Sequence, residues 1–170
     1  MFAPGQKDPV NGFRFSHDAE AVFGDLDAMG HVNNVVFLRW IEAARIAYWI
    51  ERTGQKTHRG VPRSGGASYE PGPGIMSGAL IDMILARTEI DYRSPVSYGE
   101  RVDVFVRTSL IRRSSLVFEY VVKARSDERV VAEAKTIVVC YDYGLKRSKP
   151  VPEDLKAAIL ALDLDARVEI

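Results

Sequence analysis

Between Phe23 and Asn34 the chain reads Phe-Gly-Asp-Leu-Asp-Ala-Met-Gly-His-Val-Asn-Asn, setting two carboxylates, a glycine and an imidazole just before a long apolar segment. A carboxylate can attack an electrophilic carbon or take a proton from water. The unpaired N–H groups that open a helix stabilise negative charge growing on a nearby oxygen. An acid beside such a helix start therefore suits attack on a carbonyl. Taken singly, each residue also has a plainer reading. Asp27 fits a turn or cap carboxylate at a strand end, and Asp25 an acceptor for an arginine or a backbone N–H. Gly30 supplies a positive-φ or close-approach position. His31 can hydrogen-bond a reacting group, position Asp27, or be satisfied by loop backbone. A metal site is rejected, because only one histidine lies near the carboxylates and His17 and His58 show no ligand spacing.

The elements that must position these groups follow from periodicity. Uneven alternation over Arg14 to Phe23 predicts a first strand ending at Gly24. Asn33 is a good N-cap and Gly54 a good stop, bracketing a helix of Asn34 to Thr53 whose stretch from Val35 to Ile50 is polar only at Arg39, Glu42 and Arg45. A helix so apolar must be covered nearly all round, by a sheet and then by loops or another subunit. Glu42 is three residues from both arginines, which favours a structural ion pair. Residues 54–74 are rich in Gly and Pro and also carry Lys56, His58, Arg59 and Arg63; such a long loop is a lid, a binding loop or a surface insertion. Four strands follow, at Ile81 to Tyr92, around Val102 to Val106, at Leu116 to Val122 and at Val130 to Tyr141, and their short connections favour antiparallel neighbours. After Pro150 and Pro152, Glu153 to Leu162 reads as a short terminal helix. The expected class is α+β, in the order β-α-β-β-β-β. It forms a single domain over 1–170, with an extension at 1–11 and a tail at 142–170.

Composition excludes several roles. The charge balances at 23 basic and 23 acidic residues, which disfavours nucleic acid as a partner. No apolar run approaches membrane-spanning length, and no basic-then-apolar leader is visible near Met1, so a cytoplasmic protein with no membrane partner is expected. Cys140 is the only cysteine; it lies in an apolar run and reads as packing, in keeping with a reducing compartment.

With this element order, the stretch Phe23 to Asn34 and the later Arg39-Trp40-Ile41-Glu42-Ala43-Ala44-Arg45 resemble the 4-hydroxybenzoyl-CoA thioesterase family of hot-dog-fold acyl-CoA thioesterases. Glu89 to Glu100 is similar to the family's second-strand segment and following turn, and Arg113-Ser114-Ser115 to its third turn. The resemblance implies a curved antiparallel five-stranded sheet wrapped round a central helix. It also implies a homodimer or homotetramer with active sites between subunits, and hydrolysis of acyl-CoA to free acid and CoA. It places the catalytic carboxylate at Asp27 and the carbonyl-polarising N–H at Asn34. His31 and Gly30 are candidate supporting residues. Arg112, Arg113, Ser114 and Ser115 form a basic, hydroxyl-rich turn able to grip CoA phosphates, or else a solvated hairpin turn. No cofactor is implied, since CoA belongs to the substrate. Two alternatives remain: a hot-dog enoyl-CoA hydratase, whose Asp-x-Asn-Pro-x-His pattern this chain lacks, and a non-catalytic protein binding acyl-CoA or an acyl carrier protein.

Overall fold

The computed structural model describes residues 8–53 and 83–169. The 54–74 segment and the helix stop at Gly54 lie outside the described residues. The elements are β1 (Ser16–Glu20), α1 (Asn34–Thr53), β2 (Met83–Tyr92), β3 (Arg101–Ile111), β4 (Ser115–Ala124) and β5 (Val130–Asp142). Two short strands, β6 (Arg147–Ser148) and β7 (Arg167–Val168), flank the terminal helix α2 (Glu153–Leu160). The main sheet runs β1-β3-β4-β5-β2 and is antiparallel throughout; β6 adds to β5, and β7 adds in parallel to β3. This is the expected hot-dog arrangement.

Two expectations need correction. The first strand is shorter than Arg14 to Phe23: it stops at Glu20, and Phe23–Asp25 forms a 3-10 turn with the Phe23 ring exposed. The turn forms because Asp25 Oδ2 accepts the Val22 N–H at 3.1 Å and so bends the chain out of extended geometry. The short link after β2 does not join neighbours either, since β2 pairs with β5 while β3 lies between β1 and β4. Residues 93–100 instead cross the end of the sheet, held by Arg93 N–H to Val131 carbonyl at 2.9 Å and by the fully buried Val96. Among the described residues, α1 is covered on one side, by the sheet.

Val36, Phe37, Trp40, Ile41, Ala44, Tyr48 and Trp49 form the buried face of that helix. It packs on the even-numbered side chains of β4, where Phe118 meets both Tyr48 and Trp49 edge-on. Each such side chain contributes about 1.5–3 kcal/mol by leaving water, so this stripe is what fixes the helix on the sheet. Val35 and Leu38 stay exposed on its other side.

A buried polar knot ties the tail to this core. Asp163 is buried; its Oδ2 accepts the Tyr48 hydroxyl and, at 2.8 Å, the Thr108 N–H, while the Tyr48 and Thr108 hydroxyls lie 2.9 Å apart. Cys140 is buried, and that burial pushes its thiol up to about 11 despite the lowering charge of Lys149. A thiol so disposed is protonated at neutral pH and inert as a nucleophile, as its apolar setting in the sequence suggests.

Candidate active site

The turn before α1 is built by backbone chemistry. Leu26 and Val32 form an antiparallel bridge that closes a tight loop around Asp27 to His31. Inside it the Asp27 N–H donates to the His31 carbonyl at 2.8 Å and the Gly30 N–H to the Asp27 carbonyl at 3.1 Å. Closing that loop requires positive φ at its end, and Gly30 adopts +79°. A Cβ there would touch nothing within 4 Å, so the need for glycine is conformational and not steric crowding.

This loop aims the Asp27 carboxylate. Oδ1 accepts the N–H of Met29 at 2.8 Å and of His31 at 3.2 Å, whereas among the described residues no donor meets Oδ2. One oxygen is anchored and the other is available. The turn-carboxylate reading describes the anchored oxygen.

The helix start follows directly. Asn33 is the N-cap: its Oδ1 accepts the Val35 N–H at 3.1 Å and its carbonyl the Val36 N–H at 2.9 Å. The Asn34 N–H is left without an acceptor among the described residues, at the positive end of a helix of 20 residues. Asp25 completes the corner, bonding Arg39 at 2.6 Å through Oδ1. It is therefore the structural acceptor its position suggested. Arg39 is consequently engaged with Asp25, and the nearest cation to Glu42 is Arg45 at a loose 4.0 Å.

Asp27, His31 and Asn34 line one cavity of about 310 Å³, with Met29 and Val32 beside them. Phe37 and residues 92–95 complete its lining. Tyr92 donates its hydroxyl to the Asn34 carbonyl at 3.1 Å and sets its ring edge-on to Phe37, with centroids 5.3 Å apart. Partial burial raises its phenol pKa, so it remains a donor at neutral pH.

The Arg112 to Ser115 turn is elsewhere. Along β4, Ser115 pairs with Val139, while Val122 pairs with Ala132, the partner of Tyr92. The turn and the cavity sit at opposite ends of the strand, about 23 Å apart at 3.3 Å per residue. Arg112 there pairs with Glu169 at 3.3 Å. Within one protomer the four turn residues are not brought to Asp27. Among the described residues, no group of three or more His, Cys, Asp or Glu is placed to hold a metal ion.

Sequence reasoning missed the residues that frame the cavity from the crossing link. Arg129 donates to the Ser94 hydroxyl at 3.2 Å, to the Pro95 carbonyl at 2.9 Å and to both Glu100 oxygens at 2.9 and 3.0 Å. The only available signal was the Glu89 to Glu100 stretch as a block; nothing in its alternation marks Tyr92 or Ser94 as lining a cavity. Burial raises the Glu100 pKa, but the Ser97 N–H and the Arg129 charge outweigh it and hold the carboxyl below its ordinary 4.5. A folded-state pKa below the unfolded one means this stabilisation is complete above about 4.5 and fades as pH falls through the lower folded value. Glu100→Gln is expected to cost about 2 kcal/mol at neutral pH, from the loss of charged hydrogen bonds. Urea denaturation at pH 7 and pH 3 checks this: the gap between wild type and variant should narrow on acidification.

A carboxylate and the start of a helix thus share one cavity on a hot-dog scaffold. The chain belongs to the thioesterase-like superfamily, whose family model matches residues 21–159. Among solved structures, a thioesterase from Thermus thermophilus complexed with coenzyme A and zinc is 33% identical, with a TM-score of 0.69 over 89% of this chain and 96% of that one. A thioesterase superfamily protein from Jannaschia sp. CCS1 is 23% identical, with a TM-score of 0.71 over 92% of this chain and 87% of that one. A 1,4-dihydroxy-2-naphthoyl-CoA thioesterase from Synechocystis is 20% identical, with a TM-score of 0.69 over 88% and 97% respectively. The last two share the fold. No curated protein sequence matches the chain. Among the described residues, no helix is long and apolar enough to cross a membrane.

Proposed function

We propose that this protein hydrolyses acyl-CoA thioesters to the free acid and CoA, in the manner of the 4-hydroxybenzoyl-CoA thioesterases. The observation that carries this reading is that Asp27 and the unpaired Asn34 N–H line the same cavity. A thioester carbonyl is already activated, because sulfur donates weakly into it and leaves as a stable thiolate, so few groups suffice. The Asn34 amide polarises the carbonyl oxygen. The carboxylate of Asp27 then takes one of two routes. It attacks the carbon, expelling CoA thiolate and forming a mixed anhydride that water opens, or it takes a proton from water as hydroxide adds and the thiolate leaves. His31 supports the carboxylate or the incoming carbonyl, and Gly30 holds the turn.

Assembly belongs to the same reading. Among the described residues β2 ends the main sheet with one side unpaired, and Ile84, Leu85 and Tyr92 on it are exposed, as are Val35 and Leu38 of α1. An edge of 10 residues with apolar side chains invites pairing. A second copy covers it, giving a homodimer or a pair of dimers, and brings the partner's Arg112 to Ser115 turn toward the CoA phosphates. The whole chain acts as one domain in a reducing cytoplasm, needs no cofactor, and takes CoA or carrier-protein thioesters. A thiol-release screen over short, long and aromatic acyl-CoAs tests the activity. Tight binding without thiol release, or hydration of an enoyl-CoA instead, overturns it.

A further inference from the structure

Arg45 lies on the covered side of α1 with its side chain only 13% exposed. Its guanidinium neighbours the Tyr120 hydroxyl, which in turn lies 3.0 Å from the Thr136 hydroxyl. Among the described residues its one carboxylate neighbour, Glu42, is 4.0 Å away and 63% exposed. Burial raises the Tyr120 phenol pKa despite the lowering effect of the Arg45 charge, so Tyr120 is a neutral hydroxyl and not a counter-ion. Among the described residues the side chain has no other polar partner, and a guanidinium carries five donors. A largely covered guanidinium with one loose carboxylate partner among the described residues has donors to spare for a further anion.

Its placement says which anion. Phe37, which lines the Asp27 cavity, precedes Arg45 by eight residues, about 12 Å along the helix and about 80° round it. Long helical side chains lean toward the N-terminus, which carries the guanidinium back toward that cavity. Beneath it, Thr136 pairs with Thr88 of β2, and Ile90 and Tyr92 continue that face to the cavity. Thr88 and Tyr92 are exposed and Ile90 half-buried, so this face of β2 is an open strip leading from the cavity toward the Thr136 and Tyr120 hydroxyls beside Arg45, a course open to an acyl chain.

We propose that Arg45 is a specificity-determining residue that binds a carboxylate at the far end of the acyl group, selecting dicarboxylic acyl thioesters. The proposal rests on the thioesterase reading for its substrate and on Arg45 for its selectivity. Hydrogen bonds to a charged group are worth about 1.5–3 kcal/mol, so the diacid thioester whose length brings its carboxylate to Arg45 should exceed its monoacid counterpart by about ten- to a hundredfold in kcat/KM.

Thiol release is measured from succinyl-, adipoyl- and suberoyl-CoA against butyryl-, hexanoyl- and octanoyl-CoA. Wild type should prefer at least one diacid over its partner; Arg45→Met should erase that preference while keeping monoacid turnover, and Arg45→Lys should retain part of it. Equal rates for every pair in wild type, or an undiminished preference in Arg45→Met, overturn the proposal. If wild type releases thiol from none of them and from no aromatic acyl-CoA either, the thioesterase reading fails by itself. Calorimetric titration with non-hydrolysable thioether analogues of the same acids then decides Arg45: tighter diacid binding, lost in Arg45→Met, supports it and equal binding overturns it.

Discussion

Asp27→Asn is expected to lower thiol release from acyl-CoA by at least about a hundredfold, the usual scale for removing a positioned acid or base. The substitution isolates chemistry from architecture. An asparagine Oδ1 can still accept the Met29 and His31 N–H groups that the aspartate holds at 2.8 and 3.2 Å, so the loop has the same reason to close. What disappears is the negative charge and the basic, nucleophilic oxygen. Thermal stability and oligomer size should match wild type while turnover collapses, and KM should change little if the loss is confined to the transition state. Full activity in this variant would remove Asp27 from the mechanism.

The second large effect concerns the tail. Asp163→Ala is expected to destabilise the fold by about 3–5 kcal/mol, because it strands the Thr108 N–H in the core, takes from the Tyr48 hydroxyl its carboxylate acceptor and leaves a hole beside them. For a chain of this size that corresponds to a fall in Tm of roughly 10 °C. Tyr48→Phe removes one of the two donors and should cost less, about 1–2 kcal/mol. Thermal denaturation of the two variants and of their combination checks the assignment. If Asp163→Ala and the double variant are equally unstable, the Tyr48 contribution runs wholly through Asp163.

Helix α1 was legible because its signals are local: Asn33 caps it and the apolar spacing runs through it, giving the Asn34 to Thr53 span the structure adopts. The loop chemistry of Asp25, Asp27 and Gly30 was legible for the same reason, since each acts within about ten residues or on the adjoining helix. What stayed hidden depends on distance. Short links between strands suggested neighbours, but β2 crosses to β5, and a choice of partner across 40 residues leaves no mark in alternation. The cavity wall at residues 92–95 exists only because of that crossing. Arg45 reads in the sequence as an ion-pair partner of Glu42 on one polar stripe with Arg39; their spacing is regular, yet only Arg45 turns inward, and helical periodicity alone places all three on one band.

The cavity's frame is stitched largely by main-chain bonds: Asp27 to His31, Val32 to Val96, Asn33 to Asp25, and Arg93 to Val131. Peptide groups carry these links whatever side chain is attached. Substitutions at Met29 or Phe37 can therefore reshape the lining while the carboxylate and the helix amide keep their mutual pose. A scaffold of this kind can diversify its substrate range by point changes in the lining, with the reactive geometry inherited intact.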